Sequence, residues 1–339
     1  MKKHLSQAPT GAVALAVLLL LSSLSHAQSL GPDAYGIPSQ FGMQNPTTTR
    51  QLAMGGLLCS VLDEQNANPA FAARQTKPHA GVRMVTTDLD RGPTLTSWLA
   101  EAYEPLHPNQ DGLQFVAISL GSSGGDPTIL PGTGPARADL SEDAFLVDYG
   151  RSFGNQFSAG LSVLGYQRSK FTMAMAGAPQ LLNLTADADM GFRLGAAHEW
   201  RPGDFIGLIG SWAQNSISAS GLMLGGASQV VFHSTELSLG ASYHVTPELL
   251  TAVEFRHSQT TAGPLGGTSS EWHLGAEYKA TPQWAVRAGL SDSSPTFGLG
   301  YVSGGWHFDY AFIRDWNKDA VSQLFGGSDT QSLQATFSW

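Results

Sequence analysis

Nine ionisable residues recur in one phase of an alternating pattern: Asp148, Asp189, Arg193, Glu199, Glu254, Arg256, Glu277, Arg287 and Asp309. Most of their immediate neighbours are apolar, so on strands these charges would share a face that the apolar residues avoid. Carboxylates and guanidinium groups on one face can do two things. They can tie an inner element to a wall through salt bridges, or they can line a charged path. A selective ion path shows one sign in a ring, so the mixed signs favour the tie. Other chemistry is poorly represented. Gly121-Ser122-Ser123-Gly124-Gly125 fits the nucleophile-elbow pattern but lacks its strand-to-helix context. His198-Glu199 is not followed by a second histidine at metalloprotease spacing. The chain holds a single cysteine, Cys59, which rules out an internal disulfide framework and a cysteine-based metal cluster. No phosphate loop or dinucleotide fingerprint occurs. The reading is of a protein without catalytic residues, metal or cofactor.

The elements that must position these charges start after an export signal. Met1-Lys2-Lys3-His4 is basic, Gly11 to Leu21 is apolar throughout, and Ser25-His26-Ala27 sets small residues at a cleavage site before Gln28. No later apolar run is long enough for a spanning helix. Charged residues make up 13% of the chain, about half the usual globular share. The net charge of −9 argues against a nucleic-acid partner. What recurs is period-two alternation. In the last segment Leu333, Ala335, Phe337 and Trp339 alternate with Gln334, Thr336 and Ser338, and Trp306, Phe308, Tyr310 and Phe312 repeat the pattern upstream. Aromatics near strand ends on one face, with small polar residues on the other, are the marks of an outer-membrane β-barrel.

Counting back from Trp339, short turns near 303–305, 280–282, 245–247, 201–203, 153–156 and 104–111 alternate with longer loops near 315–330, 258–270, 216–231, 177–188 and 121–142. The tally predicts an all-β transmembrane antiparallel barrel over residues 79–339. It has fourteen strands, or twelve if the two weakest N-terminal segments are left out. Residues 28–78 do not alternate and stand apart as an N-terminal segment. The C-terminal run Leu333, Ala335, Phe337, Trp339 reads as the signal for the barrel-assembly machinery. The loop predictions carry apolar clusters at Leu181-Leu182, Leu222-Met223-Leu224 and Leu324-Phe325, which would either capture a hydrophobic ligand or roof the barrel.

Within 28–78, Arg50-Gln51-Leu52-Ala53-Met54-Gly55-Gly56 is followed by Asp63 and then by Asn68-Pro69-Ala70. In these residues the chain resembles the FadL-type outer-membrane barrels, the long-chain fatty acid transporter family, and their PorV/PorQ-like relatives. Gly275-Ala276-Glu277-Tyr278, Arg287-Ala288-Gly289, Phe297-Gly298-Leu299-Gly300 and Phe308-Asp309-Tyr310-Ala311 add to the resemblance. It implies a fourteen-stranded barrel whose N-terminal segment folds inside as a plug, with Arg50 and Asp63 as anchors to luminal charges. Two functions are compatible with it. One is passage of a small hydrophobic compound, fatty-acid-like or aromatic, across the outer membrane. The other is a non-transporting barrel that anchors or shuttles secreted proteins at the cell surface.

Overall fold

The computed structural model of the chain describes residues 48–63, 67–90, 94–123, 136–175, 180–220, 228–262, 265–314 and 328–339. Fourteen strands run β1 (His79–Leu89), β2 (Thr94–His107), β3 (Asp111–Ser123), β4 (Ala136–Phe153), β5 (Phe157–Met175), β6 (Gln180–Arg201) and β7 (Asp204–Ser220). They continue with β8 (Ser228–Thr246), β9 (Leu249–Ala262), β10 (Leu265–Lys279), β11 (Trp284–Ser291), β12 (Ser294–Ser303), β13 (Trp306–Arg314) and β14 (Ser328–Ser338). Each pairs antiparallel with its neighbours, and β1 closes on β14 from His79↔Ser338 to Leu89↔Ser328. A closed ladder leaves no edge, which is what lets strands lie in lipid.

The alternation seen in the sequence sorts residues between lumen and outside. On β14, Ser328, Thr330, Ser332, Gln334 and Thr336 are buried, whereas Leu333 faces out. Val82, Trp98, Phe115, Leu194, Leu237, Phe297 and Leu299 are likewise exposed on the outer wall. In water so much exposed apolar surface would be a liability, and in a bilayer it is the required face. At the rim where the chain ends, Trp306 packs on Phe308 and Phe337, and Phe337 on Trp339.

The turns at the chain-terminal rim are tight, and three of them place glycine in the left-handed region, at Gly154, Gly203 and Gly304-Gly305. The opposite rim departs from expectation. Residues expected to loop at 177–188 and 258–270 are largely strand: β6 starts at Gln180, β9 runs to Ala262 and β10 begins at Leu265. In 258–262 polar residues stand in both phases, so the hydrophobic signal lapses while backbone pairing continues; in 180–188 Leu182, Leu184, Ala186 and Ala188 do alternate with Asn183, Thr185 and Asp187. Leu181 and Leu182 therefore stand within β6 rather than in a loop.

Trp339 donates its backbone N–H to the Pro78 carbonyl at 3.2 Å, tying the chain end to the residue before β1. Deleting Trp339 removes that bond and the outermost ring of the aromatic stack. The deletion is expected to lower insertion severalfold, read as loss of the heat-modifiable band on electrophoresis. A normal yield of that band would refute an assembly role.

Candidate functional site

The lumen is built by the strands and by the segment that precedes them. Thr48 caps a short helix, α1 (Thr49–Ala53), through a capping box with Gln51. Met54 ends it, and Gly55 and Gly56 turn the chain with positive φ of 86° and 75°. Further on, Asn68 caps a 3-10 helix, Pro69–Ala73, by accepting from the Ala70 N–H, with Pro69 at its first position. Gly55-Gly56 and Asn68-Pro69-Ala70 thus have local structural work, in addition to whatever else they do.

The segment follows the inner wall around the barrel. Thr49 donates its backbone N–H to the Gln334 Oε1 on β14 at 2.9 Å, and its hydroxyl meets the Ser332 hydroxyl at 2.6 Å. The Ala53 carbonyl accepts from Thr296 on β12, the Gly55 carbonyl meets His273 on β10, and the Gly56 carbonyl accepts from Arg256 on β9. Glu254 on β9 takes the Leu58 and Cys59 N–H groups at 2.8 and 2.9 Å. Arg193 on β6 donates to the Ala67 carbonyl, and Tyr103 on β2 to those of Ala72 and Gln75. The backbone can come this close because the inward residue beneath it is glycine on β3, β4, β5, β6, β7, β8, β10, β11 and β12. A Cβ on Gly207 would coincide with the Cys59 carbonyl, and one on Gly195 with the Asn68 amide oxygen.

Of the charges expected to face the lumen, Asp148, Arg193, Glu254, Glu277 and Arg287 are buried. Arg50 holds Glu277 with two guanidinium nitrogens at 2.7 and 2.8 Å, donates to the Leu62 carbonyl, and lies 3.7 Å from Asp63. Burial works against the charge on Arg50, but Glu277 and Asp63 outweigh it and raise its pKa above the usual guanidinium value. Glu277 also accepts from Arg287, which reaches Asp309. Segment and wall therefore share one network of alternating sign: Asp63, Arg50, Glu277, Arg287, Asp309. A second joins Arg256 to Glu254 at 3.5 Å and to Glu236 and Glu271 at longer range. Arg74 pairs with Glu199 at 3.5 Å. Asp148 is buried in the row Gln114–Asp148–Ser162–Arg193 across β3 to β6. Asp189 stands where β6 bulges against β7, and its side chain lies outside the described residues, as do those of Leu181 and Leu182. Leu222, Met223, Leu224, Leu324 and Phe325 lie outside them altogether. Among the described residues no cluster of His, Cys, Asp or Glu is arranged to hold a metal.

The lumen also contains what the charge pattern did not suggest. Leu99, Val116, Ile118, Ala144 and Leu146 are buried on the inward face of β2, β3 and β4 and pack as one apolar patch, with Leu164 of β5 against it. Phe115-Val116-Ala117-Ile118 and Phe145-Leu146-Val147 carried the signal, since they are apolar in both phases. The patch ends at a break in the wall. β5 pairs with β6 up to Val163↔Phe192 and resumes at Arg168↔Asp187, leaving four residues on each strand, 164–167 and 188–191, outside the ladder. The register is the same on both sides of the break. It is flanked by irregularities at Phe145/Leu146 in the β4–β5 ladder and at Ala188/Met190 in the β6–β7 ladder.

This is a closed fourteen-stranded barrel, apolar outside and polar inside, with a bonded inner segment: the architecture of an outer-membrane barrel. No protein-family model matches the sequence, and no curated protein matches it. Solved structures match the fold. The CymD monoaromatic hydrocarbon channel aligns over 86% of this chain and 97% of its own, with a TM-score of 0.59 and 13% identity. The Ralstonia pickettii toluene transporter TbuX aligns over 87% and 98%, with a TM-score of 0.55 and 14% identity. A Pseudomonas aeruginosa FadL homologue aligns over 86% and 98%, with a TM-score of 0.56 and 13% identity. The chain has the FadL-type barrel fold, in agreement with the resemblance read from its motifs.

Proposed function

We infer that the chain is exported, loses residues 1–27, and sits in the outer membrane as a passage for small hydrophobic compounds, with 28–78 as its plug. The single observation that carries this reading is the apolar patch on the inward wall of β2–β5, leading to the break between β5 and β6. A porin for polar solutes has no use for inward Leu99, Val116, Ile118 and Leu146. A compound that travels on this patch would reach Leu164 and meet lipid through the unpaired stretch of wall. It would not need to eject a segment bonded to most strands. The fold likeness to hydrocarbon channels supports the same substrate class.

The test is a titration of the purified barrel in detergent with a fluorescent fatty-acid analogue, competed by unlabelled fatty acid or toluene. Saturable, competed binding is expected. Leu146→Asp places a carboxylate in the patch and is expected to weaken binding about tenfold or more, since an unpaired buried charge costs over 1.4 kcal/mol. Binding at native strength in that variant would remove the patch from the account. No binding at all by a folded sample would favour the second reading, an anchor for exported proteins, which the firm bonding of the segment also suits.

A further inference from the structure

Among the described residues, Gln114 is a luminal carboxamide with neither end provided for. It is 1% exposed, and neither its amide oxygen nor its amide nitrogen has a hydrogen-bond partner. Its register neighbours are Tyr103, whose hydroxyl serves the Ala72 and Gln75 carbonyls, and Asp148, whose Oδ1 is also without a partner. The next inward residue on the same strand is Val116, in the apolar patch. A buried amide with both ends unpaired bears its full desolvation cost, and an apolar residue would fill the position without it. The amide is therefore suited to an occupant.

The surroundings say which kind. The ionisable residues in the register rows beside Gln114 are carboxylates, Asp148 opposite Gln114 and Glu101 opposite Val116. A carboxylate added here would meet like charge on both sides. A bare hydrocarbon would cover the amide and leave both its ends unpaired. A hydroxyl group donates once and accepts, which matches the Oε1 acceptor and the Nε2 donor of one carboxamide. We propose that the luminal patch takes uncharged compounds with an apolar body and a hydroxyl tip, phenols and alcohols, and that Gln114 reads the tip. This rests on the passage of hydrophobic compounds argued above and narrows its substrate class.

The experiment is equilibrium dialysis of the full-length protein in nanodiscs against radiolabelled p-cresol, toluene and p-toluate, with empty nanodiscs subtracted. The expected result is p-cresol held about tenfold tighter than either of the others, the worth of one or two neutral hydrogen bonds. In Gln114→Leu the ratio of p-cresol to toluene affinity falls to about one, and Gln114→Met, of similar length, carries the comparison should the leucine variant not insert. Toluene held as tightly as p-cresol by the native protein would mean that water meets the amide, and would overturn this proposal alone. So would p-toluate held tightest, or a ratio unchanged in the variants. No saturable binding of any of the three by folded protein would overturn the passage reading with it.

Discussion

Replacing Glu277 with alanine is expected to destabilise the folded barrel by about 3 kcal/mol, because it takes from two largely buried cations the carboxylate they share. The Glu277 side chain is 2% exposed, and those of Arg287 and Arg50 are 6% and 18% exposed. Glu277 accepts from both, through each of its oxygens for Arg50 and through Oε2 for Arg287. Asp309 remains for Arg287 and Asp63 for Arg50, the latter only at 3.7 Å. The loss should show as a lowered melting point of the heat-modifiable band and a lower urea midpoint. Glu277→Gln should recover part of it, since a carboxamide keeps an acceptor and removes only the charge. A barrel as stable in Glu277→Ala as in the native protein would mean that the network is solvated and adds little.

Gly207→Val is expected to have an effect of similar size by a different route. A Cβ at this position would coincide with the Cys59 carbonyl, so either the wall or the segment must move. Overpacking a well-filled interior costs about 1–3 kcal/mol, and more where the obstacle is backbone. Cys59 is itself the reporter. It is the chain's one cysteine, it is buried, and burial beside Glu254 pushes its thiol pKa well up. In the folded native protein it should resist maleimide for hours. In Gly207→Val a segment pushed off the wall would expose it, and labelling should speed up at least tenfold while the barrel stays in the membrane. Slow labelling in an inserted, stable variant would contradict the close approach described at β7.

The barrel was legible in the sequence because its two faces meet different solvents. Trp306, Phe308 and Tyr310 against His307 and Asp309 carry that contrast without any knowledge of partners. The strand ends away from the chain terminus were misread for the same reason. Above the lipid both faces meet water, so 258–262 carries no contrast although its backbone pairs; 180–188 does keep Leu182, Leu184, Ala186 and Ala188 in one phase, but Leu181 beside them obscured it. Luminal charges were readable from phase, and the neighbouring Glu236, Glu271 and His273 share it. What phase does not specify is which charge meets which, since Arg50 and Glu277 lie far apart in the chain. The apolar patch was hidden because inward Leu99 or Val116 looks like ordinary strand hydrophobicity until the opposite face is also seen to be apolar. Gln114 carried no sequence signal at all: its distinction is a lack of partners, which only packing reveals.

From residue 48 the inner segment lies against β14 and β12, passes β10, β9 and β6, and reaches β2 just before the chain enters β1. It therefore measures the circumference of the barrel from within. A closed sheet can in principle gain or lose a hairpin, since each added pair satisfies the same backbone groups. Here an extra hairpin would leave the segment too short to span from β14 to β2, and a missing one would leave it slack over glycines that no longer lie beneath it. The number of strands is thus specified twice, once by pairing and once by the reach of about thirty N-terminal residues. A deletion of one hairpin, such as β11–β12, should yield a barrel whose segment no longer seats, even if the shortened wall can close.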